Sequence, residues 1–260
     1  MKPIQPLTLA LTLALALAAG PASAQKWEAP QWAGFHYPEI RFKDEAAGTD
    51  GSRIYHRLVP DPEAFIQQHA LWVAQTLFWS ATNAIPDVKR IRYCLRDTDG
   101  ISAKSGEPPE VSIFYSSRWI EKTAKAAGDV PILYETRGVL YHELSHAYQW
   151  VPKGCGGYSL GTEFWIYVEG IADAVRIRNG FHPIANRRPG GSWRDGYQTT
   201  GFFLDWLTVK DPDFIRKFNR STHEIDPWSF DRSLKKIFGE KNGVDELWAE
   251  YQRFLKGQSA

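Results

Sequence analysis

The chain has 260 residues, with 31 Lys and Arg against 30 Asp and Glu, which gives a formal net charge of +1 at pH 7. This near-neutrality argues against nucleic acid and anionic membrane surfaces as partners, since both are recognised largely through an excess of positive charge. Hydrophobic residues make up 43% of the chain, enough for a packed core. The oligomeric state does not follow from the sequence.

The N-terminus has the pattern of a secretory signal peptide, residues 1–24. The second residue is a lysine, residues 7–18 form an apolar run, and residues 22–24 form a small-residue cleavage site. The apolar run is too short to cross a membrane as a helix, and no later segment is apolar enough to do so. We therefore predict cleavage near Ala24–Gln25, a secreted or periplasmic protein without stable membrane insertion, and one domain over residues 25–260.

Strands are predicted in the first half of the chain, where apolar and polar residues alternate. The predicted strands are Glu39–Phe42, Ser52–Val59, Val88–Leu95 and Glu110–Ser117. A helix is predicted to start after Asp61, because this aspartate is a favourable N-cap and is followed by proline and by apolar residues at helical spacing. Residues 100–109 are rich in turn-forming residue types and are predicted as a loop.

Helical periodicity dominates the second half of the chain. The predicted helices are Trp119–Ala127, Ile132–Val151, Thr162–Asn179, Asp195–Val209, Asp213–Asn219, Phe230–Phe238 and Val244–Leu255. Strands early and helices late indicate an α+β fold, with a small N-terminal mixed sheet packed on a predominantly helical C-terminal part.

The chain has two cysteines, Cys94 and Cys155. In an exported protein, an even pair most simply forms a disulfide, because the compartment is oxidising. We therefore predict a bond between them, worth about 4 kcal/mol in the chain-entropy model. Two free thiols are the alternative.

The stretch GVLYHELSHAYQW, residues 138–150, contains the spacing of a metal site. On a helix, His142 and His146 lie one turn apart on the same face, so both imidazoles can reach one zinc ion. Glu143 lies beside them, close enough to take a proton from water that the metal has made more acidic. We predict one zinc ion per chain, with Glu143 as a catalytic general base.

A third ligand is predicted on the next helix, in the segment FWIYVEGIADAVRIRNG. Glu169 lies there among apolar residues, where an unpaired carboxylate is costly. Asp173 follows one turn later on the same face. We predict that Glu169 is the third zinc ligand and that Asp173 accepts a hydrogen bond from the N–H of a ligand histidine. The reverse assignment, with Asp173 as the ligand, stays open.

Four blocks, YHELSHAYQW, VEGIADAVRIRNGF, SWRDGYQTTGFFLDW and LWAEYQRF, resemble the basic secretory protein family of plants and bacteria. The resemblance runs from about Ile40 to Leu255. It implies a zinc metallopeptidase with a gluzincin-like arrangement, in which an H-E-x-x-H active-site helix is followed by an E-x-x-x-D helix. His142, Glu143, His146, Glu169 and Asp173 match those positions one by one.

Cleavage of an amide also needs a donor for the developing oxyanion. Tyr197 is the first candidate, followed by Tyr158 and His182. An extended substrate needs a strand to pair with, and we predict Glu110–Ser117 as an edge strand for that purpose. Aromatic residues are predicted to flank the cleft: Trp150, Tyr158, Phe164 and Trp165.

The leading hypothesis is therefore a secreted zinc-dependent peptidase that acts on peptide or protein substrates. One alternative is a catalytically inactive binding or defence protein that retains the zinc site. Another is a zinc hydrolase acting on a different amide, such as a cell-wall peptide. The sequence does not determine whether cleavage is internal or terminal.

Overall fold

The computed structural model describes residues 29–127 and 129–258. The predicted signal peptide and its cleavage site lie outside the described residues. Four strands and nine α-helices are present in the described chain, together with short 3₁₀ segments at Pro30–Trp32 and Ile184–Asn186. The strands are β1 (Glu39–Asp44), β2 (Arg90–Arg96), β3 (Ser102–Glu107) and β4 (Glu110–Ser116). The helices are α1 (Asp50–Leu58), α2 (Pro62–Leu77), α3 (Ser117–Ala127), α4 (Asp129–Tyr148), α5 (Glu163–Arg178), α6 (Tyr197–Leu207), α7 (Phe214–Glu224), α8 (Phe230–Phe238) and α9 (Val244–Gln258).

The strands form one mixed sheet in the order β1-β2-β4-β3. Strands β1, β2 and β4 are parallel, and β3 runs antiparallel to β4. Alternate residues of β2 and β4 are buried and pair in register, for example Tyr93 with Ile113. This apolar face packs on the helices, where the Tyr115 hydroxyl lies 3.2 Å from that of Thr136 on α4. The predicted α+β class, with a small mixed sheet on a largely helical body, is confirmed.

Helix boundaries follow local capping chemistry. The Asp61 carboxylate accepts a hydrogen bond from the backbone N–H of Ala64 at 3.0 Å and starts α2 at Pro62, as predicted. The Thr162 hydroxyl accepts from the N–H of Trp165 at 3.2 Å and starts α5. None of the helices in the described part of the chain combines the length and apolar character needed to cross a bilayer.

Helices α5 and α6 approach each other closely because glycine replaces larger residues at their contact. A Cβ atom at Gly201 would lie 2.8 Å from the Cβ of Asp173, and one at Gly170 would lie 2.5 Å from a methyl carbon of Thr200. This close packing brings the N-terminus of α6, with Tyr197, next to the face of α5 that carries the two acidic residues.

One strand prediction and one loop prediction are wrong. Residues 52–59 are not a strand: α1 covers Asp50–Leu58, because the Thr49 hydroxyl caps it by accepting from the N–H of Ser52 at 3.1 Å. Its apolar residues satisfy a helical spacing as well as an alternating one. The predicted loop over residues 100–109 instead contains β3, which forms a hairpin with β4.

The predicted disulfide between Cys94 and Cys155 is contradicted, because both cysteines are free thiols. Cys94 lies in β2, between β1 and β4, near the Glu45 carboxylate. Cys155 lies in the loop after α4, which packs on the segment before α8: the N–H of Trp228 donates to the carbonyl of Lys153 at 2.7 Å. The fold therefore holds this loop against the segment that precedes α8.

Candidate active site

Helix α4 places His142 and His146 with their ring nitrogens facing each other. Their Nε2 atoms are 3.0 Å apart, and both side chains are only 12% exposed. Glu169 on α5 completes the group, with Oε2 at 3.1 Å from Nε2 of His142 and 3.6 Å from Nε2 of His146. The three ligand atoms lie within 4.8 Å of one another, so these residues could hold a metal ion.

Asp173 lies on the opposite side of His142. Its Oδ1 is 2.7 Å from Nδ1 of that imidazole, and its side chain is 5% exposed. Burial disfavours a charge on His142, but the hydrogen bond to Asp173 and the Asp173 charge raise the pKa of the imidazole to about 10. A proton held on Nδ1 leaves Nε2 as the atom that faces the other two members of the cluster.

His146 is held differently, by the amide of Gln149, which directly follows the last residue of α4. Gln149 Nε2 lies 3.4 Å from Nδ1 of His146, and Gln149 Oε1 is buried without a hydrogen-bond partner in the described chain. A 180° rotation of this amide would let Oε1 accept from an Nδ1–H, which again directs Nε2 of His146 to the cluster. Burial, followed by the charge of His142, lowers the pKa of His146 to about 3.

Glu143 is 5% exposed, and its Oε2 has no hydrogen-bond partner among the described residues. Burial raises the pKa of its carboxyl, while the charge of His142 and contacts from Ser102 and the Lys104 backbone act against the rise. A buried carboxylate with a free oxygen is expensive unless it meets a proton donor. Glu143 lines the same cavity as the cluster, where water or substrate can provide that donor.

The cavity has a volume of about 1000 Å³ and lies between β3, α4, α5, the loop after α4 and the start of α6. Trp150, Tyr158 and Phe164 line it, as predicted. Trp150 also fixes the rim, because its Nε1–H donates to the carbonyl of Ala84 at 2.9 Å. Trp165, the fourth predicted flanking residue, is buried and lies beneath the backbone at Gly196 instead.

Tyr197 begins α6 with a φ of 40°, a left-handed conformation that is strained for a non-glycine residue. Gly196 before it has a φ of 71°, and a Cβ there would lie 2.5 Å from the Trp165 indole. This arrangement aims the Tyr197 ring over the cluster, stacked on His142 with centroids 5.9 Å apart. Burial, then the nearby carboxylates, raises the pKa of the Tyr197 hydroxyl, so it stays protonated and able to donate.

Of the other two candidate oxyanion donors, Tyr158 is hydrogen-bonded to the cluster, and His182 is buried without a hydrogen-bond partner for its Nε2 in the described chain. The Tyr158 hydroxyl donates to Oε1 of Glu169. His182 is 8% exposed, with Nε2 3.9 Å from Oδ2 of Asp173, and burial lowers its pKa to about 4. All three residues line the cavity, and Tyr197, which is 47% exposed, combines this position with the stacking of its ring on His142.

The prediction that Glu110–Ser117 is an edge strand is wrong. Strand β4 is paired on both sides, with β2 and with β3, so β3 is the edge of the sheet. The Ser116 N–H donates to the Ile101 carbonyl at 2.9 Å. Because ladder hydrogen bonds alternate in an antiparallel pair, the backbone N–H and C=O groups of residues 102, 104 and 106 face away from β4, along the cavity.

Sequence reasoning missed Gln149, Ser102 and Lys104. Gln149 had a usable signal, since it lies three residues after His146 on the same predicted helix. Ser102 and Lys104 had no such signal, because the segment that contains them was predicted as a loop. The Lys104 ammonium is close enough to His146 to contribute to the low pKa of that imidazole.

A family model described as "BSP: Peptidase of plants and bacteria" matches residues 37–251. The matched region contains all the cluster residues and every element from β1 to the first half of α9. No curated protein and no solved structure matches the chain.

Proposed function

The chain belongs to the BSP family of peptidases of plants and bacteria, and we propose that it is a zinc-dependent peptidase acting through His142, Glu143, His146 and Glu169. Membership confirms the resemblance to the basic secretory protein family and implies peptide or protein substrates. The observation that carries the zinc proposal is the convergence of two imidazole nitrogens and one carboxylate oxygen within 4.8 Å, beside a buried carboxylate with a free oxygen.

The donor set suits zinc. Two imidazoles and one carboxylate from facing helices are a frequent zinc ligand set in hydrolases, and such sites leave the fourth position for water. Asp173 and the Gln149 amide meet the outer nitrogens of the two imidazoles, as the surroundings of zinc sites usually require. We assign Glu169 as the third ligand, because its Oε2 faces both Nε2 atoms whereas Asp173 faces Nδ1 of His142.

Bound zinc would supply Lewis-acid activation of water and of the substrate carbonyl. Glu143 would take the proton of the attacking water through its free Oε2, while the new C–O bond forms at the amide carbon. The same carboxyl would then give that proton to the leaving nitrogen as the C–N bond breaks. Burial favours these two proton transfers, because it raises the pKa of the Glu143 carboxyl towards the pH at which the group must both accept and release a proton.

Tyr197 is our choice of oxyanion donor. Burial raises the pKa of its hydroxyl, so the proton stays available for donation. The residue lines the cavity, its ring stacks on His142, and its backbone is strained at a φ of 40°. Donors placed in advance where charge develops are usually the largest single contribution to such catalysis. Strand β3 would hold the peptide by pairing with it through the N–H and C=O groups of residues 102, 104 and 106, which do not pair with β4.

We also propose that the protein is exported and that residues 1–24 are removed. Mass spectrometry of the mature N-terminus after expression in a secreting host tests this directly. A mature chain starting near Gln25 supports export, and a chain that keeps residue 1 contradicts it.

The function is tested by incubating purified protein with a broad peptide library, beside the Glu143→Gln variant. We expect cleavage that a chelator abolishes and zinc restores, and none from the variant although it still binds zinc. A library that stays intact with zinc-loaded wild type would favour the binding-protein alternative. Cleavage restricted to cell-wall peptides would change the substrate class and keep the mechanism.

A further inference from the structure

Lys104 lies at the edge of the sheet, on the face that packs towards the helices. In β3, Ser102 and Lys104 are half-buried, whereas the alternate residues Ala103 and Ser105 are exposed. The Lys104 side chain is only 11% exposed, and it lines the cavity that contains the cluster. A lysine this enclosed is uncommon, since its ammonium normally keeps contact with water.

Lys104 differs from the other basic residue of the cavity in how firmly its charge is paired. Among the described residues that line it, the Lys and Arg side chains are those of Lys104 and Arg176. The Arg176 guanidinium is already paired within the fold, because it donates to the Glu135 carboxylate at 2.7 Å and to the Phe181 carbonyl at 3.1 Å. Lys104 pairs at 3.1 Å with Glu107, whose side chain is 77% exposed.

The pair with Glu107 is exchangeable. An ion pair with one freely exposed partner contributes little to stability, because that carboxylate is almost fully hydrated without it. Glu107 lies three residues along the strand, roughly 10 Å from the backbone of Lys104 at about 3.3 Å per residue. The ammonium therefore points along the strand, beside the path of a peptide paired with β3, rather than directly into the cluster.

We propose that Lys104 is a specificity-determining residue, which binds a carboxylate of the peptide substrate next to the bond that is cleaved. The inference rests on the proposed peptidase function and on peptide pairing with β3. The carboxylate comes either from an acidic side chain or from a free C-terminus, and in both cases it replaces Glu107 as the partner of the ammonium. Because the Lys104 stem is already buried, little side-chain freedom is lost on binding.

The test measures peptide binding by titration calorimetry in zinc-supplemented Glu143→Gln protein, so that peptides stay intact. One peptide series exchanges Glu for Gln at each position near the cleavage site, and a second exchanges a free C-terminus for an amide. At one position or at the terminus, we expect the carboxylate peptide to bind about tenfold more tightly, as for one charge-assisted contact.

Substitutions then assign the preference to Lys104. Lys104→Met should bring the affinity ratio to about one, and Lys104→Arg should keep it, since the charge remains. The matched control is Lys43→Met on β1, the opposite edge of the sheet, where the lysine is 72% exposed and pairs with Glu45 at 2.9 Å. This control should keep the wild-type ratio.

Equal affinities for the carboxylate and neutral peptides would overturn the inference, as would a ratio that survives in Lys104→Met. Cleavage of neutral peptides by the protein with Glu143 intact, without any carboxylate preference, would overturn the role of Lys104 and leave the peptidase standing. A Lys104-dependent preference in binding, with no cleavage of any peptide, would support the site and contradict the peptidase. The series that responds identifies the source of the carboxylate.

Discussion

Replacing Asp173 with Asn removes the charge that faces His142 and keeps the shape of the side chain. The bond is short, at 2.7 Å between Oδ1 and Nδ1, and the His142 and Asp173 side chains are only 12% and 5% exposed. A hydrogen bond to a charged group contributes about 1.5–3 kcal/mol, and 1.4 kcal/mol is a factor of ten in affinity. We therefore expect the zinc Kd of Asp173→Asn to rise by about 10- to 100-fold, in line with losses of comparable partners around other metal sites.

Competition with a chromophoric chelator at neutral pH measures this Kd. The control is Asp195→Asn, which changes another carboxylate lining the cavity, but one that accepts its hydrogen bond from the backbone of Ser192 at 2.8 Å. It should leave the zinc affinity unchanged. If folded Asp173→Asn protein binds zinc as tightly as wild type, the role given to Asp173 in orienting His142 is refuted.

Three further predictions concern stability and catalysis. Burial lowers the pKa of His69 to about 4, so the folded protein keeps this imidazole neutral while the unfolded chain is protonated below its ordinary value of 6.5. The free energy of unfolding should fall by up to about 3 kcal/mol as the pH drops from about 6.5 to 4. Urea unfolding at several pH values should show that His69→Leu lacks this part of the pH dependence. Equal pH dependence in the variant and in wild type would contradict the prediction. Gly201→Ala places a Cβ 2.8 Å from that of Asp173, so we expect a loss of about 1–3 kcal/mol in thermal or urea unfolding, and unchanged stability would mean that α5 and α6 can separate freely. Tyr197→Phe should lower kcat by about 10²–10³-fold with little change in zinc affinity, and an unaltered kcat would remove Tyr197 as the oxyanion donor.

The parts of the fold that sequence predicted are those with strong local signals. Helix α2 begins where the Asp61 cap and Pro62 indicate, and α4 and α5 follow the long helical periodicity. Helix α1 was mistaken for a strand because residues 52–59 alternate well enough to satisfy both patterns, and the decision came from the Thr49 cap. Strand β3 was missed because it is an edge strand without an apolar face. Its burial pattern results from pairing with β4 and is not evident from its amino-acid composition.

The candidate site divides in the same way. The cluster residues are separated by helical spacings within α4 and within α5, so their relation could be read from the sequence. The contributions of Lys104 and Trp165 depend on which elements meet across the cavity, and this is a property of tertiary packing. The disulfide prediction failed for a related reason: export and an even cysteine count say nothing about the distance between β2 and the loop after α4.

The measurement that tests the account most directly is the metal content of the purified protein, by mass spectrometry of the intact chain and by elemental analysis. Wild type should bind one zinc ion per chain, and His146→Ala should lose it, since one of the three converging ligands is gone. The Lys43→Met variant serves as the matched surface control and should bind zinc as wild type does. Folded wild-type protein that takes up no zinc, or His146→Ala protein that retains it, would contradict the proposal that this cluster is a catalytic metal site.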